Sequence, residues 1–328
     1  MIHRKFVNLE PLKFEKKQSI FAFILSFVFI FVLIAMVIQP DKYIGVSLNA
    51  LLVWATVVLP AIFPFLLYTR FLTQLGLVDL IAKAISPITK FLFHTDGISA
   101  YVYVVSIISG YPVGAKLIAD LYEDGRMNHG NALRTMTYCA NCGPMFIIGT
   151  VGIGMFFSAT VGYFILISHM MGAVINGLVF RNYKLADTSS FPQKNKGVHD
   201  DNFLYNTSIS ACNSMLIVGT YIVIFFILIE FISSFFYHGQ TNIIFSLMNG
   251  FLEITHGCQD LSRLPISLNL KAILGTLIIT FGGLSTTFQS LSFLKKMKFS
   301  TPFFLFIKFT HAIFSTLICV FLLLLFPL

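Results

Sequence analysis

The chain alternates between long apolar runs and short polar connections from about residue 20 to its end. A helix rises about 1.5 Å per residue, so roughly twenty apolar residues are needed to cross the hydrocarbon core of a bilayer. Runs of about that length predict membrane-spanning helices at residues 20–38, 46–68, 159–180, 209–236 and 302–326. We expect Pro60 and Pro64 to kink the second of these helices.

Two further stretches mix charged and apolar residues at helical spacing. Residues 71–97 carry Lys83 and Lys90, and residues 241–264 carry Glu253. Such spacing is typical of amphipathic helices, and we expect the first to lie near the cytoplasmic face because it is too polar to cross.

Three more apolar runs are interrupted near their middles by glycine, proline or asparagine. They are residues 98–119, interrupted at 109–116; residues 132–157, interrupted at 141–144; and residues 272–293, interrupted at 281–286. Irregular backbone at membrane depth is stable only inside protein or around a watery cavity, so we predict discontinuous helices. The basic connections share one side of the membrane only if one element between residues 132 and 180 is re-entrant, and the segment at 141–144 is the natural candidate.

The breaks at residues 109–114 and 281–286 lie in spans that run in opposite directions. This arrangement predicts an inverted repeat, which is typical of secondary transporters with a solute site near the midplane. The predicted division is residues 1–44, a cytoplasmic N-terminus and first transmembrane helix; 45–180, a first repeat; 181–203, a cytoplasmic linker; and 204–328, a second repeat. Two glycine-rich helix-packing sites are the alternative interpretation.

Composition supports a polytopic membrane protein, since 56% of the residues are hydrophobic and 11% are charged. Soluble domains carry roughly a quarter charged residues, so an ordinary soluble globule is excluded. The net charge of +8 comes from Lys and Arg residues at the edges of apolar runs, where they orient helices, and no nucleic-acid partner is expected. The basic residues that place the N-terminal flank in the cytoplasm are Arg4, Lys5, Lys13, Lys16 and Lys17.

The motifs of common enzyme families are not found in the sequence, so we expect no enzymatic activity, cofactor or metal. Cys139 and Cys142 form a C-x-x-C pair, but their surroundings are apolar and lack the context of a redox motif. Small size is the simpler reason for both cysteines.

Broken helices expose backbone N–H groups that favour a carboxylate or phosphate, so the breaks are the candidate solute site. The predicted solute-binding residues are Gly110, Tyr111, Pro112, Gly114, Lys116, Asn141, Gly143, Gly283, Ser285, Thr286 and Gln289. Lys116 is expected to pair with an anionic solute, with snorkelling to the interface as the alternative.

Glu253 is the candidate ion-coupling residue, because a carboxylate in an apolar element can bind H⁺ or Na⁺. A salt bridge with Arg263 or a helix-capping role is the alternative. Four other polar residues are expected to be interfacial or hydrogen-bonded structural residues: Glu230, His169, His311 and Lys308.

Several of these motifs resemble one known family, the YlbJ-type sporulation integral membrane proteins. The similar segments are residues 59–65, 109–116, 120–122, 141–149, 250–255 and 282–285 with Gln289. The family carries nucleoside-recognition (Gate) domains related to the core of concentrative nucleoside transporters. The resemblance therefore implies that fold, with broken and re-entrant helices in an inverted repeat, in the bacterial cytoplasmic membrane.

The role that the resemblance implies is secondary transport of a small organic anion, namely dipicolinic acid during sporulation. A nucleoside transporter and a non-transporting Gate-domain scaffold are the alternatives. The expected partners are the lipid bilayer, a small anion or nucleoside, and H⁺ or Na⁺. Solute identity, coupling ion, transport direction and oligomeric state are left open by the sequence.

Overall fold

The computed structural model describes residues 16–75, 77–186, 202–236 and 242–328, and the regular secondary structure in these ranges is entirely helical. The helices are α1 (Lys16–Ile38), α2 (Pro40–Val53), α3 (Leu59–Gln74), α4 (Leu77–Phe93), α5 (Gly97–Ser109), α6 (Val113–Glu123), α7 (His129–Cys139), α8 (Ala159–Val179), α9 (Phe203–Phe236), α10 (Ile243–Leu252), α11 (Ile254–Arg263), α12 (Leu268–Phe281), α13 (Gly283–Leu294) and α14 (Thr301–Leu325). Two π-helices cover Trp54–Val58 and Met145–Met155, and a 3-10 turn covers Lys295–Met297.

Among the described residues, four helical segments are long and apolar enough to cross a membrane. They are Ala159–Val179, Leu204–Phe235, Leu268–Met297 and Thr301–Leu325. Two bent pairs raise the number to six if each pair counts as one span: Ser26–Ile38 with Pro40–Thr56, bent by 110°, and Lys83–Phe93 with Gly97–Ser109, bent by 93°. This arrangement is consistent with the all-helical protein with several membrane spans that the apolar runs predict.

The second bent pair differs from the prediction. The sequence favoured residues 98–119 as one broken span and residues 71–97 as a surface helix. In the structure α4 and α5 together have the length and hydropathy of a span, and α6 lies beyond a break. α4 packs against α5 while its basic residues Lys83 and Lys90 stay exposed, so they do not prevent this packing.

The predicted helix at residues 46–68 begins earlier, at Pro40, the first helical position, where the missing N–H costs no hydrogen bond. The helix continues through Pro60 and Pro64 in α3. Its regular α-helical hydrogen bonding is replaced by a π-helix at Trp54–Val58, one turn before Pro60. The basic residues Arg4, Lys5 and Lys13 lie outside the described residues, as does most of the predicted linker at 181–203.

The prediction of one amphipathic helix over residues 241–264 is wrong. Two helices, α10 and α11, occupy the stretch, and Glu253 between them has extended backbone. Each helix has its own N-terminal cap: Asn242 accepts from the Phe245 N–H and Glu253 accepts from the His256 N–H. The two caps provide separate helix starts, so the stretch forms two short helices, the apolar α10 and the polar α11.

Three apolar clusters hold the helices together. One surrounds Tyr101 and Tyr138 on α5 to α7, a second joins α8, α11, α12 and α14 around Ile165 and Ile278, and a third packs α9 against α2 and α3 around Met215. The helices α8, α12 and α14 all pack against one another. The breaks described next lie where these clusters meet.

Candidate functional site

Four helix breaks of the described residues lie close together, and we number these in order. Break 1 is residues 110–112 between α5 and α6, and break 2 is residues 140–144 between α7 and the second π-helix. Break 3 is Glu253 between α10 and α11, and break 4 is Gly282 between α12 and α13. The interruptions predicted at 109–116, 141–144 and 281–286 are confirmed, and break 3 was not predicted as an interruption.

The two breaks of the first half are in direct backbone contact. Gly110 has a φ of +76°, and a Cβ atom built on it would lie 2.3 Å from the backbone nitrogen of Gly143. A Cβ on Gly143 would in turn lie 3.1 Å from the carbonyl oxygen of Ser109. Gly110 is required for this close approach of breaks 1 and 2, and Gly143 leaves little room for a larger residue.

The two breaks of the second half are also adjacent. Gly283 follows break 4 with a φ of +67°, and a Cβ built on it would lie 3.2 Å from the carbonyl oxygen of Leu252 and 3.4 Å from the Cα of Glu253. Break 4 therefore rests on break 3, as break 1 rests on break 2.

Tyr111 connects the two pairs. Its hydroxyl donates a hydrogen bond to the carbonyl of Ile279 on α12, and a Cβ on Gly282 would lie 3.1 Å from the same hydroxyl. The ammonium nitrogen of Lys308 on α14 lies 4.7 Å from the centre of the Tyr111 ring. One side chain of break 1 thus reaches break 4 in the other half of the chain.

A cavity of about 640 Å³ lies where the breaks meet. Breaks 1 to 3 each contribute lining residues, and break 4 is represented by Thr286 and Gln289 on α13. The opposite wall is formed by α9, through Val218 and Ile222, and by the first π-helix. The volume lies within the range of small-molecule sites, about 300 to 1,000 Å³.

The structure separates the predicted solute-binding residues into three groups. Tyr111, Gly143, Thr286 and Gln289 line the cavity. Those that form the supporting backbone or pack behind the wall are Gly110, Pro112, Gly114, Asn141, Gly283 and Ser285. Lys116 lies apart: its ammonium pairs with Asp120 at 2.6 Å and lies 5.6 Å from the centre of the Phe293 ring.

Glu253 lines the cavity and also caps α11. Its carboxylate accepts hydrogen bonds from the His256 N–H at 2.9 Å and from the Thr255 hydroxyl at 3.1 Å. The capping role left open by the sequence is therefore present, and the ion-coupling role stays a prediction. Of the described residues that line the cavity, Glu253 is the only charged one.

Two polar atoms near break 1 and break 2 have no hydrogen-bond partner among the described residues. They are the hydroxyl oxygen of Ser109, which belongs to a lining residue, and the side-chain oxygen of Asn141. The amide nitrogen of Asn141 donates to the Tyr138 carbonyl at 2.8 Å. Because an unpaired buried polar atom is costly, the Ser109 oxygen at the cavity wall is a candidate to bind a solute or water, whereas Asn141 lies behind the wall.

A buried polar network behind break 2 was missed as a group. The Cys142 N–H donates to Nε2 of His169 at 2.9 Å, and Nδ1 of His169 lies 2.9 Å from the Thr280 hydroxyl. His311 is within hydrogen-bond distance of the His169 carbonyl, and Lys308 donates to the Ala140 carbonyl at 2.9 Å. Lys308, His169 and His311 are hydrogen-bonded, as expected, but the structure places them in one group. The only feature of the sequence that indicates this group is that Lys308 and His311 lie one helical turn apart.

Fold and cavity together define the class of protein: an all-helical membrane protein with several spans and a solute-sized cavity at paired helix breaks. Residues 55–177, which include breaks 1 and 2, match the family model described as nucleoside recognition (Gate). The chain is similar to the sporulation integral membrane protein YlbJ of Bacillus subtilis (strain 168), with 26% identity over 314 aligned residues, covering 84% of this chain and 77% of the relative. These findings confirm the resemblance noted in the sequence motifs. No solved structure matches the chain.

Proposed function

We infer that the chain is a secondary transporter that moves a small organic solute by alternating access, with the cavity at the four breaks as the solute site. The observation that carries this proposal is the convergence of breaks 1 to 3, and of the helix that follows break 4, on one cavity. Separate helix-packing sites would have no reason to meet around a shared space, whereas a transporter needs backbone groups and polar side chains at one central site.

The order of the elements supports an inverted repeat between residues 45–180 and 204–328. Each half contains two adjacent breaks followed by a long helix, and the two long helices, α8 and α14, pack against each other. Chain order matches break 1 with break 3 and break 2 with break 4, which differs from the sequence pattern, where break 1 was paired with break 4. The membrane is proposed to be the bacterial cytoplasmic membrane, with the N-terminus and the basic connections in the cytoplasm.

The first solute class is a small organic anion, with dipicolinic acid as the example that the family resemblance of the sequence motifs implies. Ser109 and Gln289 supply neutral polar groups, but the Glu253 carboxylate would repel an anion at short range. Binding of H⁺ or Na⁺ by Glu253 would remove that repulsion. Transport of an anion through this cavity therefore goes together with the proposed coupling role of Glu253.

A nucleoside is the second candidate, and the cavity wall itself favours it. A neutral solute is not repelled by Glu253, and its hydroxyl groups can donate to the carboxylate. The Gate match also carries the description of nucleoside recognition. These two candidates differ in charge, so they are separable by experiment.

The test is ligand-dependent thermal stabilisation of the purified protein with dipicolinate, uridine, adenosine and simple dicarboxylates, since a solute that binds only the folded state raises apparent stability. We expect Gln289→Leu to remove the shift given by the bound solute. Gln259→Leu, on α11 outside the cavity lining, is the matched control and is expected to keep it.

The outcomes separate the hypotheses. A dipicolinate shift supports the anion transporter, and a shift with uridine or adenosine alone supports the nucleoside transporter. If no solute shifts the unfolding of a well-folded sample, the transport proposal is rejected in favour of a Gate-domain membrane scaffold.

A further inference from the structure

Lys308 lies inside the protein, within the candidate span Thr301–Leu325, and only 2% of it is exposed. Its ammonium nitrogen contacts one carbonyl, that of Ala140, at 2.9 Å and faces the Tyr111 ring at 4.7 Å. The described part of the chain provides no carboxylate within ion-pair distance. A buried lysine in this position differs from Lys116, whose charge is balanced by Asp120.

Burying a lysine as a cation without a counter-ion is costly, particularly at membrane depth. The groups around Lys308 offer partial charges only: the carbonyl end of α7 and the face of an aromatic ring. A neutral amine can make the same hydrogen bond to Ala140 without that cost. The arrangement in the structure, which we call closed because the lysine nitrogen is buried, therefore favours the neutral amine. Access of water to the nitrogen favours the charged form.

Lys308 also contacts three of the four breaks. Tyr111 belongs to break 1 and Ala140 to break 2, and a Cβ built on Gly282 of break 4 would lie 3.3 Å from Cε of Lys308. Any change that draws water to the lysine nitrogen must therefore move or hydrate the backbone at the breaks.

We propose that Lys308 is the proton-binding residue that links protons to the opening of the cavity: binding a proton favours the open, hydrated breaks, and losing it favours the closed ones. This inference rests on the proposed transport function, because an opening cavity has a use only if a solute passes through it. It assigns a proton site to the second half of the chain that is distinct from Glu253.

The other titratable groups near Lys308 are Tyr111, Cys142, His169 and His311, all within electrostatic range or direct contact. His169 accepts the Cys142 N–H at Nε2, so that nitrogen carries no proton in the closed arrangement. His311 is held at the His169 carbonyl. His169 is therefore held as a neutral hydrogen-bonding group, whereas the hydrogen bonds of His311 and Lys308 are compatible with both charge states.

The test measures opening without any solute. Hydrogen–deuterium exchange of the peptide covering residues 140–146 is followed between about pH 6 and about pH 9 and expressed as protection factors, which divide out the intrinsic effect of pH. We expect the wild-type protection factor to fall as pH falls, by up to about tenfold per pH unit, the limit for opening linked to one proton.

Two uncharged variants, Lys308→Met and Lys308→Gln, are expected to show protection that does not change with pH, and Lys308→Gln keeps a donor for Ala140 if Lys308→Met fails to fold. Lys271→Met is the matched control, because Lys271 also donates to a main-chain carbonyl, that of Ser262 at 2.8 Å, away from the breaks. It is expected to keep the wild-type pH profile.

Flat wild-type protection, or a pH profile that persists in both uncharged variants, overturns the proposal; the second result assigns the proton to the histidine pair. Neither result depends on a solute. The solute screen can therefore fail while Lys308 remains the proton site, and the exchange experiment can fail while solute binding stands.

Discussion

One side of the cavity is formed by breaks 1 and 2, and the other side by breaks 3 and 4. The two sides are built from different chemistry. In the first pair, glycine meets glycine: Gly110 and Gly143 bring two backbones together without an intervening side chain. In the second pair, the Glu253 carboxylate caps a helix, and Thr286 and Gln289 project from the helix that follows break 4. The first pair therefore sets the shape of the site, and the second supplies its carboxylate and its side-chain amide.

The largest expected effect is that of Gly110→Ala. The new Cβ would overlap the Gly143 nitrogen, and the positive φ would strain any L side chain, so we expect a loss of about 3 kcal/mol of stability. Thermal unfolding measures it. Gly45→Ala is the control, because its Cβ meets nothing within 4 Å and should leave stability unchanged or slightly raised. Equal unfolding temperatures for the two variants would contradict the close contact of breaks 1 and 2.

Gly283→Ala is expected to cost less, about 1 to 2 kcal/mol. Its φ is also positive, but the nearest atom to the new Cβ is at 3.2 Å and needs only a small shift. The same unfolding measurement applies. A loss as large as that of Gly110→Ala would show that the second pair is packed as rigidly as the first, and the proposed division between shape and polarity would fail.

The larger Gly110→Leu and Gly283→Leu changes are expected to abolish solute flux.

Substitutions of Glu253 can separate its role as a helix cap from its role in the cavity. Glu253→Ala removes the cap of α11 and is expected to cost about 1 kcal/mol, whereas Glu253→Gln keeps an acceptor oxygen and removes the charge. Asn242→Ala removes the cap of α10 and is the control for stability without a change in the cavity. Thermal-shift titration with dipicolinate is expected to show tighter binding to Glu253→Gln than to the wild type. Weaker binding would mean that the carboxylate contributes to solute recognition rather than opposing it.

The smallest effect is expected for Lys116→Ala. Its partly buried ion pair with Asp120 spans one helical turn, and such pairs contribute roughly 0.5 kcal/mol or less. We expect the unfolding temperature to change little and the solute-induced shift to persist. Loss of the dipicolinate shift in this variant would restore the sequence prediction that Lys116 binds an anion.

Local sequence chemistry predicted a large part of the fold. The interruptions at residues 109–116, 141–144 and 281–286 were correct because glycine and proline disturb a helix through their own backbone. Break 3 was missed because a glutamate in a mixed stretch was interpreted as part of a polar helix face. Its extended backbone is explained only when its carboxylate is seen to accept from the N–H three residues later.

The sequence by itself determined where the helices run and where most of them break, since run length, proline and glycine act over a few neighbouring residues. Only the tertiary structure decided that breaks 1 to 3 and the helix after break 4 share one cavity, and that Lys308 lies buried beside Tyr111. Tyr111 and Ile279, or Ala140 and Lys308, are far apart along the chain. Their contact depends on how whole helices pack, and no local pattern records it.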